Sequence, residues 1–300
     1  MTTTPEIAKP SAAKIWVTAA RPKTLGAAIA PVLVGTAMAL EAGVLHVPAA
    51  VCALLGAVFI QIGTNFSNDY VDFLKGADTE ARKGPLRVTQ AGWVTPQAMK
   101  TATIAAFGLA VLAGLYLIWR GGWPILLVGL VSIACGVLYT AGRYSLAYLG
   151  LADLFVLVFF GPVAVGGTYY VQALHVTPQV LLMGLGPGLL AVAILLVNNI
   201  RDMQEDRAAG KKTLIVRLGR RFGVGLYGLC VLGALAVVFS VAWQTGRWWA
   251  LATLLALPLA VPIVRKLARE ENAFALNPLL GATGRLLLIY SVLFCIGWNV

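Results

Sequence analysis

Residues 47–72 read VPAAVCALLGAVFIQIGTNFSNDYVD, an uncharged and largely apolar run that closes on two aspartates, Asp69 and Asp72. Crossing the ~30 Å hydrocarbon core of a bilayer takes ~20 residues of helix, so 47–65 reads as a membrane span with an acidic end. A carboxylate at mid-membrane costs ~2.5–3.5 kcal/mol on insertion scales. The chain holds only 12 acidic residues in 300, so two at the mouth of one span call for a chemical reason. The arrangement returns at 178–206, where a second apolar run closes on Asn198-Asn199-Ile200-Arg201-Asp202-Met203-Gln204-Glu205-Asp206.

The rest of the chain fits the same reading. With 59% hydrophobic and 12% charged residues, it is far from the ~25% charged composition of soluble domains. A span-length scan gives nine candidates: 24–40, 47–65, 101–119, 123–139, 149–171, 178–198, 222–243, 248–264 and 279–298. The expected fold is an all-α polytopic membrane protein with nine transmembrane helices. It forms one membrane domain over 1–300, with 1–20 as an N-terminal cytoplasmic segment that carries no cleavable signal.

With the N-terminus placed in the cytoplasm, 21 of the 23 Lys and Arg fall on the inner side; only Arg120 and Arg247 lie outside. The count places Arg285 with the inner group. That split follows the positive-inside rule, so the net charge of +11 reports topology, and nucleic acid is not implied. Both acidic clusters then lie on the cytoplasmic side and the C-terminus outside. Their offset of four helices hints at an internal duplication.

Residues three and four apart share a helix face, which places Asn65, Asp69 and Asp72 on one stripe and Asn199, Asp202 and Asp206 on another. Facing pairs of hard oxygen donors suit Mg²⁺, which takes one or two carboxylates and completes its shell with water and substrate phosphates. A metal there turns pyrophosphate into a better leaving group. Lys83, Arg87, Arg201 and Lys212 are nearby basic residues suited to hold the remaining phosphate charge, as Arg does with its planar fork. Each cluster alone is equally a capped or solvated helix end; it is their pairing on one side that argues for a site. His46 and His175 read as surface residues, and Trp123, Trp248, Trp249 and Trp298 as an interfacial belt. Gly184, Gly186 and Gly188 read as close helix packing, and the four cysteines as small apolar core residues.

Asn68-Asp69-x-x-Asp72 and Asp202-x-x-x-Asp206 resemble the two aspartate motifs of the UbiA-type intramembrane prenyltransferases. Several segments are similar to the 1,4-dihydroxy-2-naphthoate polyprenyltransferase branch of that superfamily: ARPKTL (20–25), GPLRVTQAG (84–92), LGLADLF (149–155), FFGPVAVGGTYY (159–170) and NNIRD (198–202). The resemblance runs from about 20 to 223. It implies helices around a lipid-open cavity with a cytoplasmic cap, and Mg²⁺ held by Asp69, Asp72, Asp202 and Asp206. The implied substrates are a polyprenyl diphosphate and 1,4-dihydroxy-2-naphthoate, joined with loss of pyrophosphate and CO₂ to give demethylmenaquinone. The implied substrate contacts are Asn65, Asn68, Lys83, Arg87, Asn198, Asn199, Arg201 and Lys212, together with Tyr139 and Arg143, which match a Tyr-x-x-x-Lys element with Arg for Lys.

The chain departs from the superfamily at Gly76, where many members carry a third Asp; the next acid is Asp78. Asp153 opens the fifth span as a cap or as an acceptor contact. The competing readings are another aromatic prenyltransferase of the superfamily and, from a different class, a polytopic transporter. Transporters place their binding groups near the midplane, whereas these clusters sit at span ends.

Overall fold

The computed structural model describes residues 10–76, 84–138 and 150–300; Asp78, Lys83, Tyr139 and Arg143 lie outside the described residues. Within them all regular structure is helical. A short α1 (Ala12–Ala20) precedes α2 (Pro22–Glu41), α3 (Val47–Leu74), α4 (Pro96–Gly121) and α5 (Trp123–Leu138). The chain continues through α6 (Ala152–Val158), a π turn (Phe159–Val163) and α7 (Ala164–Ala173), then α8 (Pro178–Arg201) and a short α9 (Met203–Ala208). Last come α10 (Leu214–Thr245), a 3₁₀ stretch (Trp248–Ala256), α11 (Leu257–Arg269) and α12 (Ala273–Trp298).

Among the described residues, eight helical segments are long and apolar enough to cross a membrane, and the ninth expected span appears as the shorter apolar helix Trp123–Leu138. Most segments outrun the apolar windows read from sequence. The clearest case is α3, which carries its acidic motif on continuous helix down to Leu74. Gly76, at φ +61°, then turns left-handed and ends it, a conformation glycine adopts without the Cβ penalty.

The core is built on α8. Its sequence is apolar on all sides through 189–197, and a helix of that kind must be surrounded. Leu190, Ala193, Leu196 and Val197 are fully packed against α2, α10 and α12. Close approach is set by glycine. A Cβ on Gly184 would meet Pro162 Cα at 2.7 Å, one on Gly188 the Leu157 carbonyl at 2.6 Å, and one on Gly186 the Tyr290 hydroxyl at 2.2 Å. The π turn, with Gly161 at φ −110°, ψ −114°, brings the backbone of the Phe159–Val163 turn onto that glycine face of α8.

The end opposite the aspartates is locked by polar cross-ties. Arg120 donates to the carbonyls of Val171 (2.6 Å) and Gln172 (3.0 Å). Arg247 pairs with Glu41 and donates to the Trp298 carbonyl. Both cations that fall outside by the charge count thus bind neighbouring segments. Trp298 departs from the expected belt: it is only 3% exposed, stacked on Phe294 with the Arg247 guanidinium 5.2 Å above its ring. Trp123 and Trp249 are outward-facing. His46 caps α3 through the Ala49 amide and stacks on Tyr116, and His175 packs edge-on against Tyr169.

Candidate active site

Between α2, α3, α4, α5, the α6–α7 segment and α8 lies a cavity of about 620 Å³, apolar along most of its length and polar at one end. The apolar wall includes Ile60, Val111, Leu115, Phe155, Phe159 and Phe160, with Phe155 and Phe159 stacked 6.0 Å apart. The polar end is lined by Asn65, Asn68, Asp72 and Arg87 from one motif and by Asn198, Asn199, Arg201, Asp202, Glu205, Asp206 and Lys211 from the other. Two clusters 126 residues apart in sequence (Asn198 against Asp72) therefore face one space.

Each cavity-facing aspartate is gripped by its own cation. Arg87 Nη2 lies 2.7 Å from Asp72 Oδ2. The Arg201 guanidinium holds both oxygens of Asp202 at 2.7 Å, and its other arm reaches Asn277 Oδ1 of α12 at 3.1 Å. Lys211 Nζ lies 2.7 Å from Asp206 Oδ1. Arg87, Arg201 and Asp206 are all nearly buried, so these are desolvated, charge-assisted contacts of the strong kind.

The first motif does not present one stripe. Asn68 and Asp72, four apart, face the cavity, while Asp69, about 100° round the helix, turns away from it and is 1% exposed. Its two oxygens accept the backbone amides of Thr89 and Val88, each at 3.2 Å. Those amides belong to a compact turn closed by bonds from Ala91 to Arg87 and from Trp93 to Val88. The turn is seated by packing of Val88 and Val94 against Ile15, Ala19, Phe66 and Met99. Asp69 thus fastens to α3 the turn that delivers Arg87 to Asp72. Asn65 both lines the cavity and ties α3 to the α1–α2 corner, donating to the Ala20 carbonyl (2.9 Å) and the Thr24 hydroxyl (3.1 Å).

In the second motif the helix breaks at Asp202 (φ −92°, ψ 8°), yet Asn199, Asp202 and Asp206 all still reach the cavity. Of the two loop lysines, Lys211 faces the site, whereas Lys212 is exposed and lies off the cavity. Asp153 is buried in the first turn of α6 and also lies off the cavity.

Arg21, Glu205, Lys211 and Asn277 join the site or its immediate support without having been singled out from sequence. Arg21 sits at φ +52° between α1 and α2, a costly conformation for a residue with a Cβ, and it lines the polar end. From sequence it stood only inside ARPKTL (20–25), one of the segments that carry the resemblance.

Among the described residues no three His, Cys, Asp or Glu side chains gather into a ready-made metal cage. The donor chemistry nonetheless fits Mg²⁺. That ion uses one or two carboxylates and leaves the rest of its octahedron to water and phosphate, and Asp72, Asp202 and Asp206 with the amides of Asn68 and Asn199 are all hard oxygen donors on one cavity.

Comparison with known proteins covers nearly the whole chain. A family model described as the UbiA prenyltransferase family matches 28–296. A 1,4-dihydroxy-2-naphthoate octaprenyltransferase of Escherichia coli is 40% identical over 96% of each chain. One of Mycobacterium tuberculosis is 39% identical over 92% of this chain and 94% of its own. Among solved structures, a UbiA homolog from Archaeoglobus fulgidus bound to GPP and Mg²⁺ superposes with a TM-score of 0.66 at 15% identity, covering 93% of this chain and 99% of that one.

Proposed function

The chain belongs to the UbiA prenyltransferase family, and from that premise we propose that it transfers a polyprenyl group from its diphosphate to 1,4-dihydroxy-2-naphthoate, releasing pyrophosphate and CO₂ and giving the quinol form of demethylmenaquinone. The observation that carries the reading is the joining of an apolar cavity to one polar end where three aspartates each hold a cation. A prenyl diphosphate has that same division, an apolar tail and a polyanionic head. The near full-length identity to naphthoate prenyltransferases supports the acceptor.

Asp72, Asp202 and Asp206, aided by Asn68 and Asn199, hold Mg²⁺, the ion bound with GPP in the Archaeoglobus homolog. When bound, the ion neutralises diphosphate oxygens and makes pyrophosphate a better leaving group. Arg87, Arg201 and Lys211 exchange part of their grip on the aspartates for phosphate oxygens, since all three already point into the same end. The bond between prenyl C1 and the diphosphate oxygen breaks, and the ring carbon bearing the carboxylate attacks C1. That carboxylate then leaves as CO₂, which restores the aromatic ring. The aromatic and aliphatic wall around Phe155, Phe159 and Phe160 keeps water from the allylic cation. Asp69 acts through Arg87, and Asn65 holds the α1–α2 corner that presents Arg21.

The whole chain works as one membrane domain, with the aspartate end and N-terminus cytoplasmic and the C-terminus outside, as the distribution of 20 of 23 cations argues once Arg285, which lies midway along α12 and not in an inner loop, is set aside. A reporter fused at Val300 is expected to behave as external; a cytoplasmic signal overturns this topology. The acceptor is tested by product mass and CO₂ release with 1,4-dihydroxy-2-naphthoate and 4-hydroxybenzoate as rivals. The naphthoate is expected to be preferred and its product to lack the carboxylate. Preference for the benzoate, or a retained carboxylate, overturns the acceptor while leaving prenyl transfer standing.

A further inference from the structure

The C-terminal half of α11 (Leu257–Arg269) carries a cationic face that takes no part in the cavity. Pro262, Arg265, Lys266 and Arg269 stand at i, i+3, i+4 and i+7, one side of a helix. With Glu270 they border a single open recess of about 420 Å³. Like charges at this spacing repel one another, so an anion among the three would lower the free energy of the face.

The protein supplies none. Among the described residues no carboxylate pairs with Arg265, Lys266 or Arg269. Glu270, the acid at the recess, turns its Oε1 to the Asn272 amide at 3.0 Å. Cations in a last helical turn usually answer the carbonyls of the helix end, but here that place is taken. Arg220 of α10 donates to the Leu267 carbonyl (2.7 Å from Nη2, 3.2 Å from Nε) and to the Glu270 carbonyl. The Lys266 carbonyl accepts the Glu270 amide at 2.9 Å. Arg220 therefore caps α11, and the three cations of the recess are left for a group outside the chain.

The same bonds fix the depth of the recess. Arg220 lies near the start of α10, which leaves the aspartate end of the bundle, so the close of α11 has returned to that end. Away from it, the cationic face continues as an apolar one. Leu259 is three residues before Pro262 and Leu255 four further back, and both are exposed. From Leu259 to Arg269 the helix rises about 15 Å. Along that line the surface changes from apolar to cationic, as a phospholipid changes from acyl chain to phosphate. A soluble anion would use the cations and leave the leucines unmatched.

We propose that Arg265, Lys266 and Arg269 bind the phosphodiester of an anionic phospholipid, whose acyl chains lie along Leu259 and Leu255. The guanidinium groups grip phosphate oxygens at two points and the ammonium adds a point charge. Basic recesses at the cytoplasmic ends of membrane helices are suited to such headgroups. Nothing in this assignment depends on the prenyl-transfer reading.

The test places the full chain in nanodiscs of phosphatidylcholine, with and without phosphatidylglycerol, and reads the lipid retained in native mass spectra together with the thermal midpoint. Phosphatidylglycerol should be retained in preference and should raise the midpoint by several degrees. Arg265→Gln/Arg269→Gln should lose at least half of both effects, and Arg265→Lys/Arg269→Lys should keep most of them. Lys14→Gln/Lys100→Gln removes the same charge from two exposed lysines off the recess, and should keep both effects. If the arginine-to-glutamine pair fails to fold, Lys266→Gln against Lys100→Gln carries the same comparison.

Equal losses in the arginine and lysine pairs would reduce the effect to the general attraction of a basic surface and overturn the site, as would unchanged retention in the arginine pair. Inorganic phosphate added to phosphatidylcholine discs probes a soluble occupant and should leave the midpoint nearly unmoved. A shift from phosphate as large as that from phosphatidylglycerol, and absent in Arg265→Gln/Arg269→Gln, would put a free anion in place of the lipid.

Discussion

Alanine at Asp72, Asp202 or Asp206 is expected to lower prenyl transfer by at least ~10²-fold, the ~3 kcal/mol typical of losing one preorganised group that stabilises a developing charge. The effect has two sources at each position. One oxygen donor to Mg²⁺ is lost, and a cation is released from its place: Arg87 from Asp72, Arg201 from Asp202, Lys211 from Asp206, each now held at 2.7 Å. Asn at the same positions should do less damage, since it keeps an oxygen ligand and loses the charge. Each variant should also need more Mg²⁺ for half-maximal rate. All three residues border the polar end of the cavity, so the protein should still fold, which thermal midpoints will check. Turnover near normal in two of the three alanine variants, or turnover that persists in chelator, would sink the metal assignment.

The second large effect separates Asp69 from those three. Asp69→Ala strands two buried amides, Val88 and Thr89, that now donate to the carboxylate at 3.2 Å each; an unsatisfied buried donor costs ~1–3 kcal/mol. The turn should loosen and Arg87 swing from Asp72, with a loss of ~10–10²-fold in kcat/KM, by the arithmetic of ~1.4 kcal/mol per tenfold. Asp69→Asn keeps one acceptor oxygen and should lose less. Three readouts mark positioning rather than ligation. The Mg²⁺ concentration for half-maximal rate should stay near that of the unmodified chain, unlike in Asp72→Asn. Hydrogen exchange at Val88 and Thr89 should accelerate. In a double-mutant cycle, Asp69→Asn should add little once Arg87→Ala is present, because residues that act through one contact are not additive. A Mg²⁺ requirement raised as strongly as in Asp72→Asn would return Asp69 to the metal.

Much of the fold was legible because bilayer chemistry leaves few options: in hydrocarbon every backbone group must bond internally, so apolar runs of the right length become helices. The positions of the spans, the glycine-mediated packing at Gly184, Gly186 and Gly188, and the convergence of the two acidic motifs all follow from spacing and length. Boundaries did not. The α3 motif is helix throughout because the polar cavity and the turn at 87–94 shield it, and neither is visible in a hydropathy window.

What the sequence by itself determined is the class of object and the groups it brings together: helices of membrane length, two acidic ends on one side, and cations to match. Only the tertiary structure decided how those groups are aimed. A helix turns about 100° per residue, so Asn68-Asp69-x-x-Asp72 offers two faces, and its own spacing does not say which one looks inward. The choice came from contacts distant in the chain: the Val88 and Thr89 amides claimed Asp69, which left Asn68 and Asp72 to the cavity. The same holds for Lys211 over Lys212, for the buried Trp298, and for Arg21 turned to a positive φ. In each case the residue type was compatible with either place, and packing between elements made one of them lower in free energy.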